Sequence, residues 1–398
     1  MPNNWKTYKL TELGTIARGK SKHRPRDASH LYGGKYPFIQ TGDVKAANHK
    51  LYKYTQTYSE SGLAQSKLWP KGTMCITIAA NIAETSILTY QACFPDSIIG
   101  FIADEEKCDI DFIEFMMQYF KQEVQSHSIG SVQDNINLGT FNRLEFLVPP
   151  LPEQKAIANI LSAIDDKIEN NLATNKTLED MAITLYKHWF VDFGPFQDGE
   201  FIDSELGLIP KGWEVKSLGE LAVFRNGKGI KRIDRNENGA YKIYGSNGFI
   251  GYTDKIMFDN PVVAIGRVGA NYGEIHYSIE PCWVSDNAIT VQPKEKNCFW
   301  WLLQTLRIID YSNFAGGSAQ PLITQGAVKE YLISVPNEKT LVDFSNNLDK
   351  LFKNLNNNIK ENQSLTQLRD TLLPKLISGE VRLKEFEEQV ESVIVGEE

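Results

Sequence analysis

Between residues 157 and 189 the apolar positions fall in alternating steps of four and three. They are Ile157, Leu161, Ile164, Ile168, Leu178, Ala182, Leu185 and Trp189, with Asn171 and Asn175 in the two central places. Such spacing keeps one stripe facing a partner along a single long helix. The rhythm returns 187 residues later at Phe344, Leu348, Leu351, Leu355, Leu365, Leu372 and Leu376, again around two asparagines, Asn358 and Asn362; only Arg369 is out of character. The first helix is expected to start at Pro152-Glu153, where proline suits a first turn, and to stop before Phe193-Gly194-Pro195. Pro374 predicts a broken or kinked last turn in the second helix and puts the place of Leu376 in question.

The seam is symmetric about residue 173, so antiparallel packing of the two helices sets Asn171 against Asn362 and Asn175 against Asn358. Amides at core coil positions cost stability but penalise every other register, because a shifted helix would leave them unpaired among leucines. From its first to its last seam residue each helix, about 33 residues, would span about 50 Å at about 1.5 Å per residue.

Outside the helices the chain repeats itself. Trp5, Leu10, Glu12, Leu13, Gly19 and Lys20 recur 208 residues later as Trp213, Leu218, Glu220, Leu221, Gly227 and Lys228, and GSVQ at 130–133 and Val148-Pro149 recur 187 residues later as GSAQ at 317–320 and Val335-Pro336. Similar ends around different middles fit a common frame carrying distinct readers. MCITI (74–78), SIIGFIA (97–103), PVVAIG (261–266) and AITV (288–291) read as strands, and 111–125 and 298–310 as short helices. The expected class is α/β, in the α+β sense: two similar domains separated by two long helices packed as an antiparallel coiled coil, with an internal pseudo-two-fold repeat. The divisions are a first domain at 1–150, a helix at 151–192, a linker at 193–212, a second domain at 213–337, a helix at 338–377 and an acidic tail at 378–398.

Charge alters this picture through its distribution. The net charge is −8, which alone argues against a nucleic-acid partner. Residues 380–398 carry −5 of it and 196–206 carry −4, leaving the remainder at +1. Arg18, Lys20, Lys22, Arg24 and Arg26 form a basic cluster that the second half echoes with Arg225, Lys228, Lys231, Arg232 and Arg235. One such cluster is usually a solvated face; its repetition at matching places favours a polyanion partner. The acidic tail is expected to be a solvated end. The amino terminus has no apolar signal core and no apolar run approaches membrane-spanning length, so a soluble cytoplasmic protein without a membrane partner is expected. The five cysteines lack paired spacing, which fits free thiols in a reducing compartment.

Candidate catalytic chemistry is sparse. GTIARGKS (14–21) matches the phosphate-binding loop pattern, but that chemistry needs a buried strand before it and a helix after it. The residues that follow, KHRPRDASHLYGG, offer no apolar helix face, and the second-half counterpart LAVFRNGKG lacks the final hydroxyl. The six histidines have no metal-ligand spacing, and neither a nucleophile elbow nor an Asp/Asn-Pro-Pro-aromatic methyltransferase motif is present. No metal site or catalytic residue is expected.

The runs PPLPEQKAIANILSAIDDKIENN, LEDMAITLYKHWFVDFGPF, LIPKGWEVKSLGEL and LRDTLLPKLISGEV closely resemble the specificity subunit of type I restriction-modification systems, across both halves of the chain. The resemblance implies two target-recognition domains held apart by the helix pair, binding double-stranded DNA. It implies a subunit that makes and breaks no bonds and has no cofactor of its own. It would direct two methyltransferase (M) subunits, which modify adenine, and two ATP-driven restriction (R) subunits, with S-adenosylmethionine, ATP and Mg held by those partners. Unlike domains further imply an asymmetric bipartite site, with half-site centres about one turn of 34–36 Å apart or slightly more. A coiled-coil adaptor without sequence-specific DNA binding is the alternative; it explains the helices but not the repeated basic clusters.

Base-edge chemistry then nominates residues: Arg or Lys for guanine, Asn or Gln for adenine, and further cations for phosphates. In the first domain these are Lys20, Lys22, Arg24, Arg26, Gln40, Thr41, Gln133 and Asn135. In the second they are Lys228, Lys231, Arg232, Ser246, Asn247, Arg267, Asn271, Tyr272 and Gln320.

Overall fold

The computed structural model describes residues 4–79, 81–121, 138–316 and 322–382; Gln133, Asn135, Gln320, both GS(V/A)Q segments and the tail from 383 lie outside them. The chain divides into two compact units, one of Met1–Asn171 with Lys360–Glu398, the other of Leu172–Ile359. The expected strands and short helices form: Met74–Thr77, Ile98–Ala103, Val262–Gly266 and Ala288–Pro293, and helices Ile110–Tyr119 and Phe299–Ile308.

Each domain is opened and closed by the same local device. In the first, strand Lys6–Lys9 pairs antiparallel with Glu145–Val148, Lys6 opposite Val148. In the second, Glu214–Ser217 pairs with Leu332–Val335, Glu214 opposite Val335. One helical turn follows each opening strand, because the sequence Leu-x-Glu-Leu supplies two apolar anchors and a carboxylate. Glu12 accepts from the Lys9 amide at 2.7 Å and Glu220 from the Ser217 amide at 2.8 Å, half of a capping box in each case. Leu10, Leu13 and Leu218 are buried beneath.

In the first unit, Gly14–Arg18 is the edge of a five-stranded sheet that continues through Ile98–Ala103, Met74–Thr77, Thr85–Leu88 and Lys50–Leu51. A four-stranded sheet combines Gln56–Tyr58, Tyr32–Phe38, Ala92–Cys93 and Leu68–Trp69. Helix Ile110–Tyr119 brings Phe112, Phe115 and Met116 into one core with Phe141, Phe146, and Ile157, Leu161 and Leu376 from the long helices. In the second unit, Ala222–Asn226, Ala288–Pro293, Val262–Gly266 and Ile275–Ser278 make a four-stranded sheet, with Gly248–Thr253, Tyr241–Gly245 and Cys282–Val284 beside it as a three-stranded one. Its core joins Trp213, Trp301 and Leu302 to Tyr186, Phe190, Phe344 and Phe352 of the long helices.

The long helices span Leu151–Phe190 and Glu338–Ile377. At 40 residues each, and so about 60 Å, they exceed the seam-based length chiefly because six residues, more than a turn, precede the first seam position in each, while one residue follows the last. Their packing is antiparallel within each unit. In the first, the Asn171 amide donates to Asn362 Oδ1 at 2.8 Å and to Glu361 at 2.8 Å, while Asn362 donates to the Ile168 carbonyl at 3.3 Å. In the second, Asn358 donates to Asn175 Oδ1 at 2.9 Å.

Two expectations about the second helix need correction. The helix runs through Pro374 without breaking, and Leu376 is buried in the first unit's core. Proline removes one amide, whose partner would be the carbonyl of Asp370, and that residue lies on an exposed side of the helix, where an unpaired carbonyl costs least. Arg369 is also no fault in the seam: its Nη1 donates to Asp165 Oδ1 at 2.9 Å, and Asp165 is buried.

Candidate nucleic-acid interface

The basic segments leave their sheets in the same way. Strands Gly14–Arg18 and Ala222–Asn226 end in Gly19 and Gly227. Gly19 donates to the Ile98 carbonyl and Lys20 to that of Phe94; Gly227 and Lys228 donate to those of Ala288 and Val284. A Cβ on either glycine would come within 2.2 Å of the Pro95 or Ser285 carbonyl oxygen, so only glycine lets the backbone pass so close. This also disposes of a phosphate-binding loop, since Gly14–Arg18 is itself a paired strand and no helix follows it directly.

Beyond the glycine the loops differ. In the first domain Lys20 and Lys22 are exposed, whereas Arg24 donates to the carbonyls of Ser21 and His23 and Arg26 grips Asp96 with two bonds at 2.7 and 2.9 Å. These arginines brace their loop, and Ser66 Oγ and Gln65 hold Lys20 and His23 from the other side. Arg26, Gln40 and Thr41 share the lining of a cavity of about 410 Å³ with Tyr32, Phe38 and Gln56. The Gln40 amide donates to Gln56 at 2.6 Å, and Thr41 opens the short helix Thr41–Ala46.

In the second domain Lys228, Lys231 and Arg232 are exposed, and Trp283 Nε1 fixes the Lys228 carbonyl at 2.7 Å. Ser246 and Asn247 form the turn between strands Tyr241–Gly245 and Gly248–Thr253, which Gly248 permits with φ +81°. At the end of strand Val262–Gly266 the chain passes so close that a Cβ on Gly266 would meet the Asn271 carbonyl oxygen at 2.2 Å and that of Ser246 at 2.7 Å. Ser246, Arg267 and Asn271 therefore meet at one strand end. The Arg267 Nε is buried without a hydrogen-bond partner among the described residues. Tyr272 instead packs its ring against the core.

One polar cluster carried no signal in the chain's periodicities. His49, 3% exposed, contacts Glu114 at 2.6 Å through Nδ1 and Asp111 at 2.8 Å through Nε2, and stacks on Phe115 at 4.3 Å. Glu114, fully buried, also accepts from Thr85 at 2.6 Å and Gln118 at 2.9 Å. Burial alone would lower the imidazole pKa, but hydrogen bonds to and charge on Asp111 and Glu114 outweigh it and raise it to about 9. Burial likewise pushes the Asp111 carboxyl up, yet His49 and Lys50 hold it below its usual range. At Asp165 burial prevails over Arg369 and the pKa is raised. Lys50 lies 3.7 Å from Asp111 and 3.6 Å from Asp166 of the long helix. A lone Glu114 within IDFIEFMMQY was the available clue, since a carboxylate on a buried face demands a partner.

Duplicated mixed domains, each opening on a basic loop and running into a long helix with an amide-centred seam, define a two-domain specificity protein. The family model for the type I restriction modification DNA specificity domain matches residues 2–180 and 210–367, and the chain belongs to that family. It is similar to the MjaIX specificity subunit of Methanocaldococcus jannaschii, with 26% identity over 97% of this chain and 95% of that one. It is also similar to the HindI specificity subunit of Haemophilus influenzae, with 22% identity over 95% of this chain and all of that one. A crystal structure of the S subunit of a type I restriction-modification system from M. genitalium shares the fold at a TM-score of 0.60 and 19% identity, covering 94% of this chain and 97% of that one. The chain is thus a DNA specificity subunit of the type I class. No helix among the described residues is long and apolar enough to cross a membrane.

Proposed function

We propose that each domain reads one half of an asymmetric, bipartite DNA site, and that the chain directs two methyltransferase and two restriction subunits to it. Methylation of adenine and ATP-driven cleavage would take place on those partners, which would hold S-adenosylmethionine, ATP and Mg. The observation that carries this reading is the pair of basic loops built on the same glycine and the same two backbone hydrogen bonds in both domains. A shared frame gives both halves the same approach to DNA, and the unlike loops beyond it give each half its own target. Exposed lysines contribute sequence-independent attraction to phosphates. Ser246, Arg267 and Asn271 in one domain, and Gln40 and Thr41 in the other, supply donors and acceptors suited to base edges. The paired helices would set the length of the unread gap.

A genome-wide map of methylated adenine in cells with and without the gene tests the proposal. One asymmetric gapped motif should disappear with the gene. A map unchanged by deletion, in cells that express both partner subunits, would refute it.

A further inference from the structure

The second basic loop carries an outlier. Ile233 is 88% exposed, at the centre of the short turn Arg232–Asp234 and among Lys231, Arg232 and Arg235. Isoleucine is among the residues most often fully buried, and Ile233 is far the most exposed large hydrophobic residue among those described, the next being Leu208 at 60%. Nor is the turn loose. Thr253 Oγ1 donates to the Asp234 carbonyl at 2.7 Å, Lys255 pairs with the Asp234 carboxylate at 2.8 Å, and the Asn236 amide donates to the Tyr252 carbonyl at 3.0 Å. With Asp234 taken, the charges of Lys231, Arg232 and Arg235 find no carboxylate within 4 Å among the described residues. The turn is a rigid mount with free cations around one protruding apolar side chain.

The first domain has a counterpart. The 208-residue offset that aligns Gly19 with Gly227 and Lys20 with Lys228 places Pro25 at the position of Ile233. Pro25 is exposed, between Arg24 and Arg26, both of which are spent on bracing that loop. Two loops that differ at most positions thus both present an apolar tip.

We propose that Ile233, and Pro25 in the first domain, are base-contacting residues: Lys231, Arg232 and Arg235 around Ile233, and the exposed Lys20 and Lys22 ahead of Pro25, settle on phosphates and the tip is pressed against a nucleobase. This rests on the reading that the basic loops face DNA. Apolar contact with a base has two chemical forms, packing on the thymine methyl group in the major groove and wedging at a partly unstacked base step. Both bury the tip only in the complex, which accounts for an exposed isoleucine on a braced turn. Both also discriminate between sequences in a way that phosphate contacts do not.

The test uses the full chain assembled with its methyltransferase subunits on a duplex bearing the mapped motif, with affinity measured against salt. Ile233→Ala should weaken binding about tenfold without changing the salt dependence. The Lys231→Ala/Arg232→Ala pair should weaken binding and flatten the salt slope by about two. Melting of the free Ile233→Ala chain should match that of the parent, since the side chain packs on little. Deoxyuridine in place of thymine, or 2-aminopurine placed at each step of the half-site, tells the two contacts apart: a signature given by the parent and lost in Ile233→Ala identifies which one operates. Ile233→Ala binding within twofold of the parent would overturn the proposal, as would an affinity loss with neither signature. If the Lys231/Arg232 pair is also silent, it is the underlying assignment of the loops to DNA that fails.

Discussion

His49 sits where its charge is needed, and its removal should be felt at a defined pH. The imidazole bridges Asp111 and the fully buried Glu114, and its pKa is raised to about 9 from an unfolded value of about 6.5. A group whose pKa is raised by folding adds stability that is fully present below the unfolded pKa and is lost as pH climbs through the folded one. Two and a half pH units at about 1.4 kcal/mol each give about 3 kcal/mol, present below about pH 6.5 and gone above about pH 9. His49→Gln keeps a hydrogen-bonding side chain but no charge, leaving Glu114 buried beside an uncharged neighbour. At pH 6 it should cost about 3–5 kcal/mol, and the gap between variant and parent should close by about 3 kcal/mol between pH 6.5 and 9.5. Urea titrations at a series of pH values, with hydrogen exchange followed in peptides covering 110–119, localise the effect to the first domain. Lysine, tyrosine and cysteine titrations occur in both proteins and drop out of the difference. Parallel pH profiles for parent and variant would refute the assignment of a charged His49.

Further outcomes concern the helix pair. Asn171→Ala should destabilise the first unit by about 1–3 kcal/mol in denaturant melts, because the buried Asn171 amide and its bond to the half-buried Asn362 Oδ1 are lost. Replacing Asn171 and Asn362 together by leucine should restore the midpoint or raise it, while cysteine cross-linking across the seam detects shifted registers that the parent excludes. Arg369→Met should cost about 3–5 kcal/mol at neutral pH by orphaning Asp165, and Arg369→Met with Asp165→Leu should recover most of it. A heptad inserted after Asn171 and another after Asn358 adds about 10 Å of helix between the two amide pairs; methylation mapping should then find the unread gap widened by about three base pairs, at about 3.4 Å each.

What the chain revealed in advance, and what it withheld, follows from the range of the interactions. The helix seam was legible because a heptad is local and its partner lay at a constant offset. The asparagines marked the register because an amide among leucines has few acceptable neighbours. The opening Leu-x-Glu-Leu turn was legible as a repeat because its anchors and its cap lie within four residues. By contrast, His49 meets Glu114 across 65 residues, and no periodicity links them. Arg369 looked out of place because its partner Asp165 lies one residue off the apolar stripe. Arg24 and Arg26 read as free cations, but the carbonyls and the aspartate that hold them are brought near only by the fold. Tyr272, nominated for DNA, is half taken up by packing, which composition does not disclose. Ile233 was invisible for the opposite reason: its significance is the absence of packing, known only once the rest of the chain has settled.

The pairing of each domain's first strand with its last carries a consequence of another kind. Neighbouring strands lie about 4.8 Å apart, so the chain enters and leaves each domain through adjacent gateways, Lys6 opposite Val148 and Glu214 opposite Val335. Everything in between can be replaced as a cassette without moving either gateway. Recombination between genes of this kind needs homology only at the flanks, where the Leu-x-Glu-Leu turn and the Val-Pro step supply it. One crossover upstream and one downstream would exchange one half of the target while leaving the other half, the helices and their partners as they were. A lineage could thereby acquire a new DNA address in a single event, wherever the incoming cassette keeps the apolar face that Phe112, Phe115 and Met116 here present to the long helices.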